Sequence, residues 1–428
     1  MFTRQVKQWL PGAGQYTRPA HPRVCHAGAA LTEVAEVLTD DLSRTLGEPV
    51  ATSGEPTPGD VVLELAPVAL GAEGYTITIG SSITIRAETA TGVFRGTRTL
   101  LPLMTRPELP AGTVRDWPGT PLRGLLVDVG RKYFTPGWLR DRIRELADLN
   151  MNYLHLHLSD DTGFRVESDT CPEAVSTDHY SKDELRALVE FARRRHVTVL
   201  PEIDMPGHMG ALLTGREHLR LTNAHGVTAA NLAAPESYAL AERLLEEYLP
   251  LFPGPYWHLG ADEYVIDGRY PELAREARRR HGPDATPKDL FYGFVNRTAA
   301  LVRQHGKRPV IWNDEVRTDD GTVPLDQSLT IDYWSDRGPT PAELAAAGHE
   351  LVNSSFAALY YVLGGMRPSQ QGWHADVFDG GHVLPPELDH ARVGAKLHIW
   401  CDRPEAESED EVAAGIAEAL RTTARRTW

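Results

Sequence analysis

From residue 122 onward the chain repeats one pattern eight times: a short apolar run, then a longer stretch with helical spacing. The runs at 124–129, 153–158, 197–203, 257–260, 310–312, 330–334, 350–353 and 396–400 are bounded by turn residues and read as buried strands. Between the first two, Leu139, Ile143, Leu146 and Asn150 fall on one helical stripe, and between the second and third Leu185, Leu188, Val189 and Ala192 do the same. Eight such strands with intervening helices over roughly 300 residues predict a closed (β/α)8 TIM barrel, whose chemistry lies at the strand C-termini.

Residues 1–117 read differently. Short apolar runs at 61–65, 75–79 and 83–86 predict strands, the spacing at 31–46 and 92–103 predicts helices, and Gly and Pro separate them. This is a small α+β domain ending at the turn-rich Asp116-Trp117-Pro118-Gly119-Thr120-Pro121. The expectation is an α/β chain of two domains, an accessory unit at 1–117 and a barrel at 118–428, in keeping with 428 residues being more than one core usually holds.

Net charge narrows the partners. At −15, with no basic cluster beside aromatics, the chain lacks the footprint of a nucleic-acid binder. The basic N-terminus has no apolar stretch of signal-peptide length behind it, and no later run reaches bilayer length, so the expectation is a cytoplasmic protein with no membrane partner. Cys25, Cys171 and Cys401 are odd in number and far apart, which fits reduced thiols rather than a disulfide frame.

Polar and aromatic residues gather where the strands end. The first run leads to Asp128 and Arg131, the second to His155, His157, Asp160 and Asp161, the third to Glu202, Asp204 and His208. Trp312, Asn313, Asp314 and Glu315 follow the fifth, Asp332 and Trp334 the sixth, His398, Trp400 and Asp402 the last. Convergence from six strands points to one pocket, and tryptophan faces together with Arg and Asp suit a sugar ring with its hydroxyls. The rival reading is a zinc or di-metal site built from His155, His157, His208, His258 and Asp160; the first two lie inside an apolar run rather than at the first strand's end, which favours hydrogen-bonded core histidines and no metal.

The fourth run ends in Trp257-His258-Leu259-Gly260-Ala261-Asp262-Glu263-Tyr264. Alone, an Asp-Glu pair is as ordinary as any loop opening. Consecutive side chains of a regular strand face opposite ways, so both acids address one site only where the strand ends or distorts, which Gly260 permits.

These segments together resemble family 20 glycoside hydrolases, the β-N-acetylhexosaminidases. The resemblance rests on Arg123 to Phe134, Leu154 to Arg165, Pro201 to His208, and His258 to Glu263 with Ala261 in place of the family's second glycine. Tyr75 and the segment Gly92 to Gly96 resemble the family's accessory domain. What the resemblance implies is an exo-acting hydrolase for terminal 2-acetamido-β-hexosides that needs no cofactor. Its nucleophile is the substrate's own acetamido oxygen, and the intermediate is a cyclic oxazolinium. Glu263 is then the general acid and base, Asp262 holds the acetamido group, and Asp160 with His208 forms a buried relay to Glu263. Arg131 binds ring hydroxyls, Trp312, Trp334 and Trp400 wall the acetamido pocket, Tyr361 donates to its carbonyl, and Trp373 lies near the sugar face. Two departures stand out. Where the family has Tyr-Leu-Asp the chain has Tyr361-Val362-Leu363, without the carboxylate that grips distal hydroxyls, and the usual Trp-x-Glu is Trp400-Cys401-Asp402. They leave open a hydrolase for a modified or differently linked 2-acetamido sugar, or a sugar-binding barrel without turnover.

Overall fold

The computed structural model describes residues 6–223, 226–264, 268–316, 321–369 and 373–428. Eight parallel strands close into a barrel: Leu122–Asp128, Tyr153–His157, Thr198–Glu202, Tyr256–His258, Arg308–Trp312, Thr330–Tyr333, Glu350–Asn353 and Arg392–Trp400. The last pairs with both its predecessor and the first, which seals the ring and leaves no free edge. All eight coincide with the apolar runs read from the sequence. Helices with a buried apolar stripe cover the outside between most of the strands; Leu185, Leu188 and Ala192 on Lys182–Arg193 are buried, and Ser181 with Glu184 starts that helix in a capping box.

A ninth short strand, Tyr360–Val362, was not visible in the sequence. It lies parallel against the end of the last barrel strand, Tyr360 opposite His398 and Val362 opposite Trp400. A small hairpin, Ser159–Asp160 with Gly163–Phe164, likewise caps the second strand.

The N-terminal unit is a seven-stranded mixed sheet in the order Gln8–Thr17, Glu108–Asp116, Tyr75–Ile79, Ile83–Ala87, Val61–Leu65, Arg23–His26, Ala51–Ser53. Helices Thr32–Leu46 and Ala90–Leu100 pack on it, and the second meets the barrel. Glu73 clasps the two units, taking Arg95 of that helix and Arg123 of the first barrel strand. Nearby, four arginines line a cleft of about 200 Å³ between the units: Arg44, Arg98, Arg144 and Arg195, with Asp41 and Asp148 among them. All three cysteines are buried and unpaired. No helix among the described residues is long and apolar enough to cross a membrane.

Candidate active site

Three residues after the fourth strand adopt left-handed backbone: Gly260 (φ 74°), Ala261 (φ 70°) and Glu263 (φ 49°). This twist is what lets adjacent acids face one centre. Glycine is required at 260, where a Cβ would stand 1.8 Å from Asp204 Oδ1. The segment is pinned from three sides: Ala261 N–H donates to Asp204 Oδ1 (3.2 Å), Glu263 N–H to Asp314 Oδ2 (2.9 Å), and Asn223 Nδ2 to the Glu263 carbonyl (2.7 Å).

Asp262 and Glu263 meet at His208, whose Nε2 is 3.2 Å from Glu263 Oε2 and 3.7 Å from Asp262 Oδ2. Its Nδ1 lies 3.5 Å from Asp160 Oδ1. Burial pulls the imidazole down, but Asp262 and Asp160 outweigh it and hold His208 well above its ordinary range, as a cation. Burial pushes Asp160 up; Arg131 and His208 reverse that, leaving it firmly ionised. Asp204 is different. Its Oδ2 and Asp262 Oδ1 are buried without a donor, and the carboxyls lie within 4.8 Å of one another and of His208. Burial first and the Asp262 charge second drive Asp204 well above the carboxylate range, so Asp204 holds a proton and shares it with Asp262.

Arg131 enters from the loop after the first strand, held by Asp128 (2.9 Å) and Asp160 (2.8 Å), with Asp402 3.9 Å from its Nε and the Trp400 ring 5.6 Å beneath it. Trp312, Tyr360 and Trp400 form an aromatic cluster with Leu126, flanked by Trp334, Val362 and Met366. Trp312 donates its indole N–H to Glu202 (2.8 Å) and Trp334 donates to Asp314 (3.0 Å). Asp314 therefore holds both the Glu263 backbone and a cage wall; burial, then the neighbouring Asp262, push it up to about 7. It was noted in the sequence only as one of several strand-end acids, and its contacts are tertiary.

Tyr361 is a correction. Its hydroxyl points away from the cluster to Glu407 (2.5 Å), where the Arg367 guanidinium covers its ring and a Cβ on Gly415 would strike it. Tyr360 takes the inward place, 5.7 Å from Trp400 and 6.1 Å from Trp334, in the field of Asp262 and Asp314. Strand parity explains the swap: Tyr360 pairs with His398, the residue stacked below Trp400 on the inner face. The same parity moves the missing carboxylate from Leu363, fully buried in the main core, to Val362, which borders the cluster. Trp373 is buried in the main core cluster with its indole nitrogen unpartnered.

The histidines of the metal alternative are engaged by protein. His155, Glu202 and His258 come within 4.8 Å of one another, with His155 Nε2 and His258 Nδ1 turned to Glu202, while Lys396 Nζ stands 2.9 Å from His155 Nδ1 and also meets Asp332. Burial and Lys396 together lower His155 to about 3, a neutral core imidazole.

The catalytic-domain model of glycosyl hydrolase family 20 matches residues 121–393, and the model of that family's domain 2 matches residues 5–117. The chain is 31% identical to the lacto-N-biosidase of Bifidobacterium bifidum over 98% of its own length and 39% of that protein, and 24% identical to the β-hexosaminidase of Porphyromonas gingivalis over 89% of its length and 54% of that protein. It thus spans about half or less of these two relatives. The solved N-acetyl-β-hexosaminidase of Streptomyces plicatus, in complex with thio-NAglucal, superposes with a TM-score of 0.80 at 25% identity, over 99% of this chain and 89% of that one. On its barrel, its accessory domain and its strand-end acids, the chain belongs to glycosyl hydrolase family 20.

Proposed function

We propose that the chain is a retaining exo-β-N-acetylhexosaminidase that uses the substrate's 2-acetamido group as nucleophile. The observation that carries this reading is the unequal pair at His208: Asp262 is recessed, with 16% of its side chain exposed, while Glu263 stands 38% exposed at the mouth. Adjacent acids at different depths suit different parts of one sugar. Asp262 accepts the acetamido N–H and steadies the positive charge that grows on the group as its oxygen attacks the anomeric carbon. Glu263 gives its proton to the departing oxygen, then takes one from the water that opens the oxazolinium, so configuration is kept. Trp312, Trp334 and Trp400 enclose the acetamido methyl, Tyr360 donates to its carbonyl, and Arg131 holds ring hydroxyls. His208, backed by Asp160, supplies positive charge beside Glu263 as it ionises.

A second reading concerns what lies beyond that sugar. Val362 is apolar where a hydroxyl-gripping carboxylate is expected, and the chain is similar over 98% of its length to a lacto-N-biosidase, which favours a 2-acetamido sugar substituted at its far end. Aryl N-acetylglucosaminide, N-acetylgalactosaminide and lacto-N-bioside assayed side by side separate the two. A thiazoline mimic of the cyclic intermediate should inhibit competitively; a covalent glycosyl adduct on Asp262 would overturn the mechanism.

A further inference from the structure

Glu202, the last residue of the third barrel strand, has no exposed surface and none of the roles above. One of its oxygens meets His157 Nδ1 at 2.8 Å, and the other accepts the Trp312 indole N–H at 2.8 Å. His155 Nε2 and His258 Nδ1 lie 3.1 Å from the same carboxylate. The other nitrogen of His157 reaches Asp160 Oδ2 at 2.9 Å. A single carboxylate therefore joins the floor of the aromatic cage to the Asp160–His208 pair.

A neutral imidazole has one N–H, so a ring with a carboxylate against each nitrogen satisfies both only as an imidazolium. Burial opposes that charge on His157, but Glu202 and Asp160 outweigh it and raise the ring to about 10. The charged groups facing His157 are Glu202 from the third strand, Asp160 from the hairpin and Asp128 from the first strand. Those facing His208 are Asp160 and Asp161 from the hairpin after the second strand, Asp204 from the end of the third, and Asp262 and Glu263 from the end of the fourth.

We propose that Glu202 is a positioning residue for hydrolysis: through His157 it sets the charge behind Asp160 and His208, and through Trp312 it fixes the floor of the acetamido pocket. The inference rests on Glu263 being the acid. Glu202→Gln keeps the shape but offers one acceptor oxygen and one NH2, so it cannot accept from both neighbours. If the oxygen stays with Trp312, His157 must shed its Nδ1 proton and become neutral. Both charges of the Glu202–His157 ion pair are then gone, but His157 stands between Glu202 and Asp160, so the lost cation is the nearer one and the field at His208 and Glu263 becomes more negative. That pair then keeps its proton to higher pH, and the alkaline limb of kcat/KM moves up. If the oxygen turns to His157, Trp312 loses its anchor and KM rises instead.

The test is the pH profile of kcat/KM on an aryl N-acetylglucosaminide for the wild type, Glu202→Gln and Glu202→Asp, with nitrogen-15 spectra of the His157 ring. The wild-type ring should show an imidazolium near about pH 8, well above the ordinary histidine value of about 6.5. Glu202→Gln should raise the alkaline limb by about half a pH unit or KM by several-fold, the scale of a lost ion pair whose two fields partly cancel, or of one hydrogen bond. Glu202→Asp, which keeps the charge, should return the limb toward wild type. A folded Glu202→Gln with both quantities unmoved, or a neutral wild-type His157, would overturn the inference; if the variant does not fold, the wild-type spectrum alone decides. A wild type that cleaves no 2-acetamido glycoside removes the proposed function itself, whereas an active enzyme with an unmoved profile removes only the role of Glu202.

Discussion

Ala261 sits at φ 70°, where an L-residue carries roughly 1–2 kcal/mol of steric cost. Ala261→Gly should relieve it and, after the entropy a glycine adds to the unfolded chain, raise unfolding stability by about 0.5–1 kcal/mol with activity unchanged. Urea titration checks this; a lower midpoint would mean that the backbone there is not strained. For Asp204 the shared proton makes a sharper forecast. Asp204→Asn still accepts from Ala261 and donates toward Asp262, so near neutral pH it should keep kcat within about tenfold, since one ordinary hydrogen bond is worth about 1 kcal/mol. A loss of three orders of magnitude would show Asp204 acting as an anion. Glu263→Gln should cost about 10²–10⁴-fold on poor leaving groups and far less on activated aryl glycosides, because the lost step is proton donation. Equal losses on both would refute that assignment. The acids themselves were legible in the chain because each follows an apolar run; the proton on Asp204 was not, since it arises from an approach between segments 58 residues apart, from 204 to 262.

The barrel strands were legible because each is a short, mostly apolar run bounded by turn residues, although buried polar residues such as His155, Asp332 and Lys396 interrupt some of them. The strand Gln8–Thr17 was not: it is an edge strand with Pro11, Gly12 and Gly14, a register shift, and mostly exposed side chains, so nothing in it alternates. The short strand Tyr360–Val362 shows how one residue of parity changes a pocket. Two adjacent tyrosines carry no facing information until pairing with His398 and Trp400 supplies it. Val362→Asp should therefore improve kcat/KM on an unmodified aryl N-acetylglucosaminide, because charge-assisted hydrogen bonds contribute about 1.5–3 kcal/mol each. Leu363→Asp, the change the sequence alone pointed to, places a charge in closed core and should reduce the yield of folded protein instead. If Leu363→Asp folds and gains activity while Val362→Asp does not, the inward face has been misassigned.

Over the whole molecule, accessory sheet and barrel behave as one unit where Glu73 ties them. Burial pushes this carboxyl up, but Arg95 and Arg123 more than reverse it and hold it below its ordinary value. The sign follows: with the folded value depressed, the contribution is present above the unfolded value near about 4.5 and is lost as pH falls through the folded one. Glu73→Gln should cost about 3–5 kcal/mol at neutral pH by leaving two buried guanidiniums short of a partner, and should flatten the acid limb of the stability curve. A variant with unchanged Tm and an unchanged acid limb would show the clasp to be incidental. The arginine-lined cleft beside it has a different origin. Helices Thr32–Leu46, Ala90–Leu100, Pro136–Asp148 and Lys182–Arg193 all end there, each contributing residues of its last turn or just beyond. Every carbonyl end carries about half a negative charge, so four of them add about two to the two of Asp41 and Asp148. Four guanidiniums bring that total close to zero. What looks like a cradle for phosphate is an electrically neutral joint, and sulfate or phosphate at constant ionic strength should find nothing there to hold.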